Sequence, residues 1–334
     1  MTSPIVRLFN RLDSLWDTLT DPTMDQHLIQ NSFISSQFLI QRNITLSAHD
    51  FQTSGTTSTN LGQNPPILFC LQSPDIIARH PLNYQGEYFV LAARAGAAED
   101  PTPRHNLNLI SAGPSTVWDR GILLAAYIQR WAIRGYPRVL PPGVLNLGEF
   151  CNISAVVHPH ALDLTTLGWD RNGPQLNIRW QTDVFEYTTT TPNGLTLHPH
   201  LILLSVQSCR GEERYITLGE LTAIMTAMRN RARQPAVFDE DAALEDEGEP
   251  ILAGSGNPIL TEADLEFRYE RRFPVLMVSL VGPHHVRVLY ACMDGLRLVI
   301  RMSQLYDIDI DVDGLMNFIA RVLLSHPLRE SGSQ

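Results

Sequence analysis

Lysine is missing from this chain of 334 residues, whose 25 Lys and Arg residues are all arginine. A P-loop needs a lysine that reaches the nucleotide phosphates, and a protein kinase needs its strand lysine. Schiff-base chemistry, including the attachment of pyridoxal phosphate, needs an amine nucleophile, which arginine does not provide. The missing residue type therefore argues against these three classes of enzyme.

Two explanations account for the missing lysine. A GC-rich genome favours arginine codons, although the many Asn and Ile residues argue against an extreme codon bias. Selection against a modifiable amine is the other explanation, because lysine is the usual acceptor of ubiquitin and acetyl groups. The second explanation predicts a protein that resists ubiquitination at internal positions, either as a regulated protein or as an element of the ubiquitin system itself.

Cysteine is scarce, and long apolar runs are missing. The four cysteines, Cys70, Cys151, Cys209 and Cys292, form no C-x-x-C pair and lie in or beside apolar runs. This placement predicts buried, reduced thiols. No apolar run is long enough to span a membrane, and the N-terminus lacks the continuous apolar stretch of a signal peptide. We therefore expect a cytoplasmic or nuclear protein that is not secreted and does not bind membranes.

Positive charge is also in deficit, since the formal net charge is −10. Nucleic-acid affinity depends on clustered basic residues, so we expect no nucleic-acid partner. Residues 239–249 hold seven acids and no base, and with the Gly, Ser and Pro residues that follow they predict a mobile acidic loop at 236–258. We expect a single domain over 1–334. The alternative is a main domain over 1–235 with a small β-β-β-α unit over 259–328.

Helices are predicted where apolar residues recur every three or four positions. The first begins after Ser3 and Pro4 and runs to about Leu19, the second begins at a capping-box pattern at Thr116 and Asp119, and the third begins at another at Thr217. The second helix is apolar over much of its circumference, so we expect it to be buried. A closing helix is predicted over roughly 315–324.

Strands are predicted in three groups. Residues 66–72 and 87–96 read as short buried strands. Residues 153–167, 175–190 and 195–208 are separated by the turn signals "GWDRNG" and "TPNG", and residues 273–282, 285–295 and 296–303 are joined by tight turns. The pattern predicts an α+β fold: an antiparallel β-meander packed by helices, with a second small antiparallel sheet and a C-terminal helix.

The C-terminal stretch "RYERRFPVLMVSLVGPHHVRVLYACMDGLRLVIRMSQLYD", from Arg268 to Asp307, resembles a segment of ascomycete proteins. The shared features are an Arg/Phe-Pro beginning, an apolar strand, Gly-Pro-His, a second strand and a Ser-x-Leu-Tyr end. The resemblance covers about 40 residues and implies a filamentous fungal origin. It implies no activity and no catalytic residue.

Paired histidines are the candidate metal ligands. His158 and His160 flank one proline, His198 and His200 flank another, and residues at i and i+2 of a strand face the same side. Two such pairs on one sheet could bind zinc or another divalent ion, with Asp163 or Asp183 as a carboxylate ligand. Because proline in a strand marks an edge or a bulge, surface histidines at strand ends are the competing interpretation, in which the protein holds no cofactor.

An acidic stretch near the C-terminus resembles the start of a calcium loop. Asp309, Asp311 and Asp313 occupy loop positions one, three and five, but position twelve is Ala320, where calcium loops place a bidentate Glu. We therefore expect a short edge strand followed by a helix N-cap at Asp311 or Asp313. The nucleophile motifs G-x-S-x-G, S-x-x-K and H-E-x-x-H are absent from the sequence.

Three arginines, Arg229, Arg231 and Arg233, end the third predicted helix just before the acidic loop. Their positive charge favours a helix C-terminus, and they are the candidate residues for binding a protein partner. The sequence thus predicts a non-enzymatic interaction or regulatory protein of a filamentous fungus. A metal-dependent hydrolase that uses the paired histidines is the alternative.

Overall fold

The described part of the chain forms helices and a large mixed sheet. A computed structural model describes residues 3–21, 29–30, 32–53, 60–83, 116–156, 168–172, 177–191, 194–236, 262–282 and 284–328. The helices are α1 (Pro4–Thr20), α2 (Ser36–Gln41), α3 (Ile76–Arg79), α4 (Val117–Ala132), α5 (Leu147–Phe150), α6 (Leu218–Ala232) and α7 (Val312–Leu323). The strands are β1 (Ile29–Gln30), β2 (Phe33–Ile34), β3 (Ile44–Ala48), β4 (Phe69–Cys70), β5 (Ile153–Ala155), β6 (Gly168–Asn172), β7 (Asn177–Thr191), β8 (Gly194–Gln207), β9 (Val275–Val281), β10 (His285–Asp294), β11 (Arg297–Met302), β12 (Tyr306–Asp307) and β13 (His326–Pro327).

The predicted helix beginnings are confirmed by their caps. The Ser3 hydroxyl accepts a hydrogen bond from the Val6 backbone N–H at 3.3 Å, and Thr116 caps α4 in the same way. At α6 both halves of the capping box are present between Thr217 and Glu220. α4 buries only one face, however, since Leu123 is 48 % exposed.

The main sheet within the described residues has nine strands in the order β3-β11-β10-β9-β8-β7-β5, with β12 beside β10 and β6 beside β7. The α+β class, a small antiparallel sheet beside the main one and the C-terminal helix are confirmed, and the described residues form two such small sheets, β1–β2 and β4–β13. The C-terminal strands β9, β10 and β11, however, extend the same sheet as β7 and β8. They do so through a parallel β8–β9 pair, so the main sheet is mixed rather than antiparallel throughout. The parallel pairing follows from α6, which carries the chain from the end of β8 back to the start of β9.

Helices cover both faces of the sheet. Alternate residues of the central strands point to opposite sides, as the period of two requires. One apolar cluster combines α1, α2 and α6 with residues such as Leu203 and Met277. The other combines α4 and α7 with residues such as Leu204 and Val278. Strands β8, β9 and β10 therefore lie in the centre of the core, and their ends are where side chains reach the surface.

The sequence predictions that lie outside the described residues include the strand at 87–96, most of the strand at 153–167, and all of the acidic loop except Ala236. Within the described residues, no helix is both long and apolar enough to span a membrane.

Candidate functional site

The second histidine pair lies in the N-terminal half of β8, where His198 and His200 are both buried. The two side chains point to the same side of the strand, as the spacing predicts, and both contribute to the wall of one cavity. His158, His160 and Asp163 lie outside the described residues. Asp183 pairs in the ladder with Leu204, four residues further along β8 than His200. The proposed convergence on a metal thus stays a prediction, and the part of the chain that the structure describes holds no group of three or more His, Cys, Asp or Glu residues able to bind an ion.

His200 is a neutral imidazole in an apolar setting. Its ring packs edge-on against Phe69 with centroids 5.1 Å apart, and neither ring nitrogen makes a hydrogen bond within 3.5 Å. Burial, together with the nearby charges of His198 and Arg231, lowers the pKa of His200 to about 3, although the Leu68 and Leu328 backbones oppose the shift. The side chain therefore carries no charge at neutral pH.

An open cavity of about 550 Å³ lies beside these histidines. It is bounded by the start of β8, the turn that precedes β9, and the end of the β10–β11 hairpin. Its lining residues are Leu68, Leu197, His198, Pro199, His200, Glu266, Phe267, Tyr269, Glu270, Arg271, Arg272, Met293, Asp294, Gly295 and Leu328. We call it the β8 cavity. Its size falls within the range of ligand pockets, and its wall combines an apolar floor with groups of both charges.

Two carboxylates of the β8 cavity form hydrogen bonds or ion pairs with neighbouring residues of the protein. Glu270 Oε1 accepts hydrogen bonds from the backbone N–H groups of Arg271 and Arg272, both at 2.7 Å. Asp294 pairs with Arg272 at 3.7 Å and also with Arg297. These contacts hold both carboxylates in fixed positions on the cavity wall. They are thus suited to recognising a partner by fixed charge.

The three arginines at the end of α6 form ion pairs with carboxylates of this protein. Arg231 is only 2 % exposed and pairs with Glu186 at 2.8 Å. Its Nε also donates to the His198 carbonyl at 3.1 Å. The predicted role of Arg231 as a surface residue that contacts a partner is therefore wrong, because the guanidinium ties α6 to β7 and β8.

Arg229 and Arg233 both pair with Asp13 of α1, Arg229 through Nε at 2.8 Å. Arg229 also stacks over the Trp16 ring at 4.3 Å. Their charges are thus shared with α1, and they join the two helices on one face of the sheet.

A second, fully buried ion pair lies under the start of α6. Glu220 accepts a hydrogen bond from Arg287 Nε at 2.7 Å, and a second from Nη2 completes a bidentate pair. Both side chains are 0 % exposed. Burial alone would raise the pKa of Glu220, but the Arg287 guanidinium outweighs it and leaves the pKa below its ordinary value. One glutamate therefore caps a helix and neutralises an arginine of the central strand β10.

The acidic stretch near the C-terminus serves local structure. Asp311 caps α7 by accepting a hydrogen bond from the Gly314 N–H at 3.1 Å, which confirms the N-cap prediction. Asp309 pairs with His284 at 2.6 Å. The four cysteines are free; Cys151 and Cys292 are buried, and Cys70 and Cys209 are half-buried. Burial raises the pKa of both Cys151 and Cys209 to about 12, which keeps these thiols protonated.

The sequence patterns missed one group of arginines. Arg7 and Arg11 lie one helical turn apart on α1, Arg271 precedes β9, and Arg42 follows α2. Arg7 and Arg271 lie beside the two-residue turn Gly295–Leu296 between β10 and β11, Arg11 donates a hydrogen bond to the Leu296 carbonyl, and Arg42 lies next to Arg11. We call them the hairpin arginine cluster. The only local signal was the i, i+4 spacing of Arg7 and Arg11, whereas the other two are brought in by the fold.

Comparison of the chain with protein-family models, curated proteins and solved structures finds no match.

Proposed function

We propose that the protein is a non-enzymatic interaction protein that binds a protein partner at the β8 cavity. The observation that carries the proposal is the exposed aromatic ring of Tyr269 at the edge of this cavity, where the residue is 79 % exposed. Large aromatic side chains beside a concave surface are typical anchors of protein interfaces. The fixed carboxylates and arginines of the wall supply the polar contacts that such an interface needs.

Binding of the proposed partner should depend on Tyr269. Affinity purification from the source organism should recover a protein with the wild-type chain and lose at least tenfold of it with Tyr269→Ser, since a buried interface aromatic contributes 2 kcal/mol or more. Quantitative mass spectrometry measures the recovery. Ile310→Ser is the matched control, because Ile310 is 82 % exposed and belongs to the loop before α7.

Equal recovery with wild-type, Tyr269→Ser and Ile310→Ser chains would argue against the β8 cavity as the binding site. Turnover of a substrate by the purified protein, with no partner recovered, would overturn the proposal as a whole.

We also propose that the absence of lysine protects the protein from internal ubiquitination in cells. The predicted filamentous fungal origin and the predicted cytoplasmic or nuclear location would both place the chain within reach of ubiquitin ligases. The exposed Arg214 lies outside the β8 cavity and the hairpin arginine cluster, so it is a suitable place for a new acceptor amine.

Arg214→Lys should therefore shorten the half-life in cells, because it restores the amine that ubiquitin needs. We expect at least a twofold shorter half-life in a translation-block chase, together with a ubiquitin ladder that proteasome inhibition enhances. Arg214→Gln removes the same guanidinium without adding an amine and should leave the half-life unchanged. Identical decay of the wild-type, Lys and Gln chains would contradict the idea.

A further inference from the structure

The hairpin arginine cluster concentrates positive charge on a protein that is otherwise acidic. Arg11 donates from Nε to the Leu296 carbonyl at 3.1 Å and from Nη2 to the Arg42 carbonyl. The Arg11 side chain therefore links the backbone of the β10–β11 turn to the backbone that follows α2. Burial lowers the pKa of Arg11, and the like charge of Arg42 lowers it further. Two guanidinium groups are thus held close together although they repel.

The cluster has no carboxylate partner within the described residues. Arg229, Arg231, Arg233, Arg272, Arg287 and Arg297 each form an ion pair with an Asp or Glu. No such pair within 4.0 Å involves Arg7, Arg11, Arg42 or Arg271 in the described parts of the chain. Within the described residues, these four arginines are thus left without a carboxylate partner, in a protein whose net charge is −10.

A cleft of about 260 Å³ lies within the cluster. Pro4, Leu8 and Leu296 give it an apolar floor, and Arg7 and Arg271 stand on its walls. Leu296 is 45 % exposed although it is a large aliphatic residue. Arg271 and Gly295 line both this cleft and the β8 cavity, so the two are neighbouring parts of one surface.

We propose that this cleft binds an acidic peptide segment of the partner protein, in which carboxylates flank an aliphatic side chain. The carboxylates would pair with Arg7 and Arg271, because a guanidinium offers two parallel donors that match a carboxylate. The aliphatic side chain would cover Leu8 and Leu296. This inference rests on the proposed function and names the chemistry of the partner.

Charge and shape favour a peptide over a nucleic acid as the occupant. A polyanionic strand would meet the negative field of the whole molecule beyond the small basic area. Nucleic-acid sites add a groove that follows the phosphate backbone, whereas this site is a short cleft with an aliphatic floor. A short carboxylate-rich segment needs only the area that the cleft provides.

The test uses the full-length protein and a fluorescein-labelled peptide of about ten Glu and Leu residues in alternation, with a peptide of Gln and Leu as its neutral control. Fluorescence anisotropy should show binding of the Glu peptide that weakens as NaCl is raised, since exposed charge pairs are screened by salt. The Gln peptide should not bind. Duplex DNA of matched charge should not compete.

The variant Arg7→Gln/Arg271→Gln should raise the Kd of the Glu peptide roughly fivefold to tenfold, as expected for the loss of two exposed ion pairs. Arg210→Gln/Arg214→Gln removes the same net charge from exposed positions elsewhere and should leave the Kd within about twofold. Leu296→Ser should also weaken binding. Because all five positions are at the surface, thermal melting of each variant is expected to match the wild type.

Four results would overturn the inference: no binding of the Glu peptide, equal weakening by the two double variants, equal binding of the Gln peptide, or tighter binding of DNA. If Tyr269 still governs the capture of a partner in these cases, the proposed function stands and only the acidic-peptide chemistry fails. If the Glu peptide binds at the cleft but no partner depends on Tyr269, the proposed function fails instead.

Discussion

Arg287→Met is expected to lower the free energy of unfolding by about 3–5 kcal/mol, the range measured when one partner of a buried ion pair is removed. The change leaves the Glu220 carboxylate fully buried without its bidentate donor. The pKa of Glu220 should then rise, because burial is no longer opposed by a positive charge. Chemical denaturation at pH 7 measures the loss, and a drop of less than about 1 kcal/mol would contradict this account.

A double-mutant cycle separates the ion pair from the helix cap. Glu220→Met loses both the pairing with Arg287 and its half of the capping box with Thr217. Glu220→Met/Arg287→Met removes both charges, and such replacements by apolar residues are often close to neutral. We therefore expect the double variant to be more stable than Arg287→Met alone, and to remain below the wild type by about 1 kcal/mol for the lost cap.

Acid should destabilise the wild-type protein through His200. Its pKa is near 6.5 when the chain is unfolded and about 3 in the folded state. A depressed pKa means that the folded state resists protonation. Stability from this site is therefore complete above pH 6.5 and is lost as the pH falls towards 3. The full loss is on the order of 3–5 kcal/mol, and the slope approaches about 1.4 kcal/mol per pH unit.

The variant His200→Leu isolates this effect, because leucine is close in size and does not titrate. As the pH is lowered from 6.5 to 4, the free energy of unfolding of the wild type should fall steadily relative to that of the variant. Other groups titrate in both proteins and cancel in the difference. Parallel stability curves for the two proteins over that interval would show that His200 is not buried as a neutral ring.

Local patterns predicted the four long helices and the long strands β7 to β11, because their causes lie within a few residues. They missed α2 and β3, and the predicted turn at "GWDRNG" is wrong, because Gly168–Asn172 forms strand β6. The cap at Thr217 requires only Glu220 three positions later, and the apolar stripe of α1 requires only its own spacing. The role of Glu220 as the partner of Arg287 was not predictable in this way, because the two residues are 67 positions apart and meet only when α6 packs on β10.

The pairing of the strands was predicted less well. Tight turns gave the antiparallel β7–β8 and β10–β11 hairpins correctly. The parallel β8–β9 pair was missed, although a strand, a helix and another strand in succession is the pattern that predicts a crossover. The long acidic stretch between α6 and β9 suggested a domain boundary at this point, so the strand–helix–strand pattern was not recognised.

The candidate sites show the same limit. Spacing placed His198 and His200 on one side of β8, but only the fold shows that His200 is enclosed by Phe69 and by the backbone of residues 68 and 328. The charge of Arg229, Arg231 and Arg233 was evident in the sequence, whereas their partners Asp13 and Glu186 lie on other elements. A charge count cannot separate a neutralised arginine from one that is free to bind a partner.

The parallel pair between β3 and β11 has a consequence for synthesis on the ribosome. Ile44, near the start of the chain, finds its ladder partner at Leu298. The N-terminal elements therefore emerge from the exit tunnel long before the strands that cover them exist. Contacts of such long sequence separation slow folding and leave unpaired edges open to aggregation in the meantime. We expect the nascent chain to depend on chaperones until its last sixth has been translated.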